Sequence, residues 1–146
     1  MGSTIAVTLA MCSSCTGDGT LHLIQLLVAA FLGILFLQSG LDKVVDSQGN
    51  LEYLESHFEK SPLKPLVPRM FALITVVEVL AGAASALGAL WAVFGGTRLA
   101  WVGALLANVA IVSLFFGQRV AKDYAGAAAL VPYFILTLGA LWVLHL

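Results

Sequence analysis

One acidic residue stands inside a long apolar stretch of this sequence. Within FALITVVEVLAGAAS (71–85), Glu78 is the only charged residue. A charge near the middle of a bilayer costs on the order of 3 kcal/mol on insertion scales, so such a residue should face the protein interior. Intramembrane acids often carry protons or contact ligands. Glu78 is therefore a candidate proton-handling or ligand-binding residue, and the alternative is a polar clamp between helices.

Glu78 requires a polar partner, and the sequence suggests Asn108. Glu78 lies nine residues after Arg69, and Asn108 lies ten residues before Gln118. At about 1.5 Å of rise per helical residue, both would lie roughly 13–15 Å from the same membrane surface. Desolvation favours the neutral form of a buried carboxyl group. We therefore expect a protonated Glu78 to exchange hydrogen bonds with the Asn108 amide.

A second polar cluster ends the first apolar stretch, in LQSGLDKVVD. Gln38 and Asp42 are one helical turn apart and share a face, and Lys43 could extend to lipid phosphates. Tyr124 begins the last apolar stretch on the same side of the membrane. The candidate ligand-binding residues are therefore Glu78, Asn108, Gln38, Asp42, Lys43 and Tyr124. For the last four, an ordinary role as interfacial anchors is the preferred interpretation, and a polar pocket is the alternative.

The two cysteines, Cys12 and Cys15, form a C-x-x-C pair ahead of the first apolar stretch. Such a pair could exchange electrons with a membrane-bound oxidant. The first twenty residues contain no Lys or Arg that would favour a reactive thiolate, and no second cysteine pair could relay electrons. A passive disulfide or two free thiols is the preferred interpretation, and redox chemistry is the alternative. The sequence predicts no metal site.

Composition places these groups in a membrane. The chain has 146 residues, of which 60% are hydrophobic and 10% charged, with a net charge of −1 and a mean hydropathy of +0.99. Soluble domains contain about 25% charged residues, and a soluble chain of this length could not bury so much apolar surface. We predict an integral membrane protein that contacts lipid. The low net charge predicts no nucleic-acid partner.

Four apolar stretches are long enough to span a bilayer, and they lie at about 21–41, 66–94, 99–116 and 124–146. They predict an all-α integral membrane four-helix bundle formed by residues 21–146, preceded by an outward-facing segment, 1–20. Within the first connection, NLEYLESHFEK predicts a short amphipathic helix at the membrane interface, with Asn50 as its N-cap. This helix would be an interfacial linker or, alternatively, a lid or docking surface.

The distribution of basic residues predicts the orientation. The first and third connections contain Lys43, Lys60, Lys64, Arg69, Arg119 and Lys122, whereas the second contains Arg98 alone. Basic loops tend to remain in the cytoplasm. We therefore expect both termini to face outward, on the side of the membrane away from the cytoplasm.

Two stretches of the sequence resemble the DoxX family of small bacterial membrane proteins. These are FLQSGLDKVVD and PLVPRMFALITVVEVLAGAASALGAL. The family's Gly-Leu-x-Lys signature falls on Gly40, Leu41 and Lys43, and its glutamate followed by small residues falls on Glu78. The resemblance covers roughly residues 21–146. It implies a four-helix fold and an association with quinone-linked redox enzymes.

Three functions are compatible with these features. The first, which the resemblance favours, is an accessory subunit of a quinone-linked membrane redox or respiratory assembly. The second is a quinone-reactive or thiol-linked membrane oxidoreductase in its own right, and the third is a small proton-linked transporter. We expect other membrane subunits as partners, with a homo-oligomer as a further alternative and quinone as the candidate cofactor.

Overall fold

The protein is a bundle of membrane-length helices. The computed structural model describes the backbone of residues 2–146 and the side chains of residues 18–146. Its α-helices are α1 (Gly2–Val45), α2 (Ser47–His57), α3 (Val67–Ala92), α4 (Arg98–Val120) and α5 (Tyr124–Val143), with a 3-10 turn at Lys64–Leu66. Four segments are long and apolar enough to span a membrane: Asp18–Val45, Lys64–Ala92, Arg98–Val120 and Tyr124–Val143. The predicted all-α four-helix membrane fold is confirmed.

The helix bounds differ from the predicted spans mainly in α1. This helix continues to Val45 rather than ending near residue 41, and it begins at Gly2, so no helix start separates 1–20 from the first span. LDKVV contains no helix-breaking residue, and the polar side chains at its end are exposed or half-buried, so the helix continues past the apolar stretch. At the other end of the chain, α5 stops at Val143.

Close backbone approaches hold α1 against α3 and α3 against α4. A Cβ atom at Gly40 would collide with Val79, and one at Gly82 would collide with Leu37. Between α3 and α4, Gly103 packs on Ser85 in the same way. In lipid, helices associate through such packing of small residues because no hydrophobic effect drives them together. Large apolar side chains such as Ile34 and Leu73 remain exposed around the bundle, where lipid would cover them.

The predicted helix in the first connection is present as α2, but its predicted cap is wrong. Asp46, not Asn50, caps α2, because the Asp46 side chain accepts a hydrogen bond from the Gly49 amide at 3.2 Å. Asn50 lies inside the helix and donates to the Asp46 carbonyl oxygen at 2.7 Å. An acid directly after α1 can cap the next helix immediately, so α2 begins before the position that the apolar spacing indicates.

The bundle has two distinct ends. The α2 end contains α2 and the turn between α4 and α5, where Lys122 has a positive φ of 62°. The Gly95 end contains the turn between α3 and α4, where Gly95 has a φ of 89°. Gln25 on α1 ties that end together by donating to the Val143 carbonyl oxygen of α5 at 3.0 Å. Which end faces the cytoplasm stays a prediction.

Candidate functional site

A buried ion pair joins the first two spans. Lys43 Nζ lies 2.7 Å from Glu78 Oε2, and the Glu78 side chain is only 2% exposed. The Lys43 side chain retains 19% exposure. The prediction that Glu78 faces the interior of the bundle is confirmed, and its partner is a charged group.

The local structure of α1 explains how Lys43 reaches this position. Gly40, one turn earlier, brings α1 against Val79 on α3, next to Glu78. Long helical side chains point back toward the N-terminus of their helix. The Lys43 ammonium group accordingly donates to Ser39 Oγ at 2.9 Å and lies 3.4 Å from the Ser39 carbonyl oxygen. The prediction that Lys43 extends to lipid phosphates is wrong, because its ammonium group turns into the bundle.

The predicted partnership of Glu78 with Asn108 is also wrong. The Asn108 amide nitrogen donates to the Ala104 carbonyl oxygen at 2.8 Å and to the Thr137 carbonyl oxygen at 2.9 Å. Thr137 Oγ1 in turn donates to Asn108 Oδ1 at 3.0 Å. Both residues are buried. The Asn108 amide therefore forms a neutral clamp between α4 and α5. Its partner, Thr137, is not among the residues that the sequence singles out.

The ion pair places an opposite charge directly beside the buried Glu78 carboxylate. Transferring two charges out of water is costly, and their mutual attraction offsets that cost only with good geometry. Glu78 Oε2 accepts no well-directed hydrogen bond. The Lys43 charge is therefore what offsets the cost of burying the Glu78 carboxylate. Removing Lys43 would leave the Glu78 charge uncompensated inside the bundle, whereas without Glu78 the half-buried Lys43 side chain can extend to the interface.

A third polar contact lies at the α2 end and was not predicted. His57 Nε2 lies 3.2 Å from Gln118 Oε1 and 3.4 Å from Asp123 Oδ2. Asp123 also caps α5 by accepting from the Gly126 amide at 2.8 Å. The Tyr53 ring stacks on His57, with ring centroids 5.8 Å apart. One sequence feature could have indicated this contact. His57 ends the predicted amphipathic helix, which lies at the same end of the bundle as Gln118.

The remaining candidate residues do not join the Glu78 site. The side chains of Gln38, Asp42 and Tyr124 are exposed, and within residues 18–146 no hydrogen bond or ion pair links them to Glu78. Tyr124 instead lies beneath the Arg119 guanidinium group, 4.8 Å from ring centroid to Cζ. Cys12 and Cys15 lie outside the residues whose side chains are described.

Within residues 18–146, the candidate ligand-binding residues do not converge on one pocket. A quinone site needs an apolar groove with a few converging polar groups, whereas Glu78 pairs with Lys43 and Asn108 with Thr137. Open depressions of about 440 and 270 Å³ occur instead at the Gly95 end. They are lined by Trp91, Gly95, Gly96, Thr97, Arg98 and Leu99, and by His22, Leu23, Leu26, Ala92, Val93 and Gly95. None of the six candidate ligand-binding residues lines either depression.

Over residues 18–146, no group of three or more His, Cys, Asp or Glu side chains could hold a metal ion. No protein-family model, curated protein or solved structure matches this chain. The resemblance to DoxX proteins therefore stays a prediction from the two short motifs.

Proposed function

We propose that this chain is a DoxX-like accessory subunit of a quinone-linked redox or respiratory assembly in a bacterial inner membrane. The observation that carries the proposal is the contact between Lys43 and Glu78. These residues belong to the two motifs that resemble the family, and the motifs are far apart in the sequence.

The meeting of the two motifs supports the resemblance. The Gly40 position of the first motif packs against Val79, which directly follows the glutamate of the second. Lys43, at the end of the first motif, neutralises Glu78. A chance similarity in two short stretches would not require their key residues to touch. The motifs together describe one physical unit, in which a close helix contact supports a buried ion pair.

An accessory role fits the contacts better than catalysis by this chain. The Lys43 ammonium group is occupied by Ser39 and Glu78, and the Asn108 amide is occupied within the α4–α5 clamp. These groups stabilise the bundle in the described structure and leave no converging donors for a substrate. In this proposal, partner subunits carry the redox centre. The membrane-spanning helices of this chain anchor those subunits in the membrane or hold them in position.

The test is to identify what remains bound when the protein is extracted from its own membrane in a mild detergent. Native mass spectrometry should show further protein chains, including at least one that carries a redox cofactor. A matched preparation of an unrelated four-span membrane protein from the same cells controls for adventitious association. A chain that occurs alone or only as a homo-oligomer would contradict the accessory role, and a lone chain with a bound quinone would favour an oxidoreductase.

The ion pair also favours a second candidate, a small proton-linked transporter, because intramembrane ionisable residues often lie on ion or proton pathways. Glu78→Gln alone is a poor test, since it leaves Lys43 without its counter-charge. The combined Lys43→Gln and Glu78→Gln variant removes both charges and keeps polar side chains at both positions. Proton flux in proteoliposomes that disappears in this folded double variant would support transport. Absence of flux in the wild-type protein would exclude it.

A further inference from the structure

The attachment of α2 to the bundle differs from the packing of the spanning helices. No residue of α2 itself is buried, whereas α3 and α4 contribute buried residues along most of their lengths. In the whole connection 46–66, Phe58 is the one buried side chain, with 6% exposure. Segments with few buried apolar contacts open at lower free-energy cost than the core of a protein.

Two polar contacts and one aromatic side chain hold the end of α2 in place. His57 Nε2 contacts Gln118 Oε1 and Asp123 Oδ2 at the α4–α5 turn. Phe58 lies beside Gly117 on α4, where an added Cβ atom would lie 3.6 Å from the Phe58 ring. That distance is an ordinary van der Waals contact, so the Phe58 ring packs directly against α4 at Gly117. His57 and Phe58 together fix α2 to α4 and α5.

The chain on either side of α2 is suited to a hinge. At its start, Asp46 leaves the helical conformation, with φ −114° and ψ 57°, and separates α1 from α2. After its end, the chain passes through turns and the 3-10 segment Lys64–Leu66 before α3 begins. Pro62 and Pro65 interrupt helical hydrogen bonding there. On the α1 side the Asn50 amide nitrogen bridges to the Asp42 carbonyl oxygen at 3.3 Å, so the segment after α2 is the less constrained of the two connections.

Phe58 lies between the α2 end and the level of Glu78. Ser85 faces Gly103, and Gly88 faces Ala100, in the antiparallel contact of α3 and α4. Continuing this register places Gly117 level with about Phe71. That level is about two helical turns, or roughly 10 Å, from Glu78. Phe58 beside Gly117 therefore lies on the α2 side of the ion pair, about two helical turns from Glu78.

We infer that α2 and Phe58 form a hinged cover, latched by His57, that controls the access of water to the level of the Lys43–Glu78 pair. Opening requires release of the contacts of His57 with Gln118 and Asp123 and withdrawal of Phe58 from Gly117. The spanning helices need not move. This cover is independent of whether the chain acts as an accessory subunit or as a transporter.

The test uses a cysteine placed at the depth of the ion pair. In a background with Cys12→Ser and Cys15→Ser, Ile111→Cys introduces a thiol at a buried position of α4 that the α3–α4 register places level with about Val77. A water-soluble methanethiosulfonate reports how often water reaches this thiol. The rate of labelling is measured by mass spectrometry in detergent.

Phe58→Ala should accelerate this labelling by about tenfold to a hundredfold, the range that corresponds to losing the burial of one Phe side chain. His57→Leu, which removes the latch but keeps an apolar side chain of similar reach, should produce a smaller increase. It should also speed amide hydrogen exchange in α2 and leave exchange in α3 unchanged. Glu55→Gln is the matched control, since it alters an exposed residue of α2, and its labelling rate should equal that of the parent.

The cover would be disproved if the parent protein were labelled as fast as Phe58→Ala. It would also be disproved if neither Phe58→Ala nor His57→Leu increased the rate. Gel filtration and far-UV circular dichroism establish which variants fold. Should Phe58→Ala fail to fold, His57→Leu decides the question by its labelling rate and its exchange pattern.

Discussion

Two buried polar contacts hold this bundle together by different chemistry. Lys43 and Glu78 join α1 to α3 through opposite charges, whereas Asn108 and Thr137 join α4 to α5 through neutral hydrogen bonds. In the neutral clamp, the Asn108 amide has partners for both its nitrogen and its oxygen. In the charged contact, Glu78 Oε2 has a counter-charge but no well-directed hydrogen bond.

The difference indicates which contact is the better functional candidate. The neutral clamp is closed and contains no group that changes charge near neutral pH, so it accounts for packing alone. The ion pair includes a lysine that is still 19% exposed, and it joins the two motifs that resemble DoxX proteins. A buried ion pair tolerates the loss of one partner poorly, so substitutions at Lys43 and Glu78 should test the proposed role of the two motifs most sharply.

The largest expected effect comes from removing the lysine. Lys43→Met leaves the buried Glu78 carboxylate without compensation and should cost about 3–5 kcal/mol of the free energy of unfolding. Glu78→Gln should cost less, because Lys43 lies two residues before the end of α1 and can extend to the lipid interface. Unfolding by SDS titration, followed by far-UV circular dichroism, measures both.

The double variant Lys43→Met/Glu78→Met is the control for this pair. It replaces both charges with apolar side chains, and it should recover most of the stability that Lys43→Met loses. With Glu78→Met also measured alone, a cost of the double variant equal to the sum of the costs of Lys43→Met and Glu78→Met would show that the two side chains are not coupled.

A smaller effect is expected at the close approach of α1 and α3 that supports the ion pair. Gly82→Ala places a Cβ atom against the Leu37 backbone, and it should cost about 1–3 kcal/mol of the free energy of unfolding through overpacking. Gly139→Ala on α5 is the matched control, because no atom lies within 4 Å of the added Cβ. SDS titration of both variants tests this. Equal stability of the two would show that α1 and α3 can separate at little cost.

The smallest effect is expected in the neutral clamp. Thr137→Val keeps the shape of the side chain and removes its hydrogen bond to Asn108 Oδ1. Interhelical hydrogen bonds in membranes contribute about 0.6 kcal/mol on average, and the same SDS titration should detect a loss of that size. A loss as large as that of Lys43→Met would remove the distinction between the charged and the neutral contact.

The sequence predicted the helices better than the contacts between them. Apolar length was enough to locate the four spans, and the cost of a charge in lipid placed Glu78 inside the bundle. Its partner depended on the register of α1 against α3 and on the direction of the Lys43 side chain. Similar depth made Asn108 plausible, but depth does not determine which helix face a residue occupies.

The contacts at the α2 end were equally hard to predict from the sequence. Periodic leucines predicted a helix in the first connection, yet its cap at Asp46 and the contacts of His57 depended on where α1 ended and how the chain turned. His57 lies far from Gln118 and Asp123 in the sequence, and no local pattern indicates that they meet. The function is harder to predict from the sequence than the fold, because lipid-exposed helices have a similar apolar composition whatever proteins they bind.

Native mass spectrometry of the protein extracted gently from its own membrane tests the accessory role. We expect this chain to occur in a complex with other membrane protein subunits, at least one of which carries a redox cofactor. Recovery of the chain alone, or only with copies of itself, under conditions that preserve known membrane complexes from the same cells would contradict it.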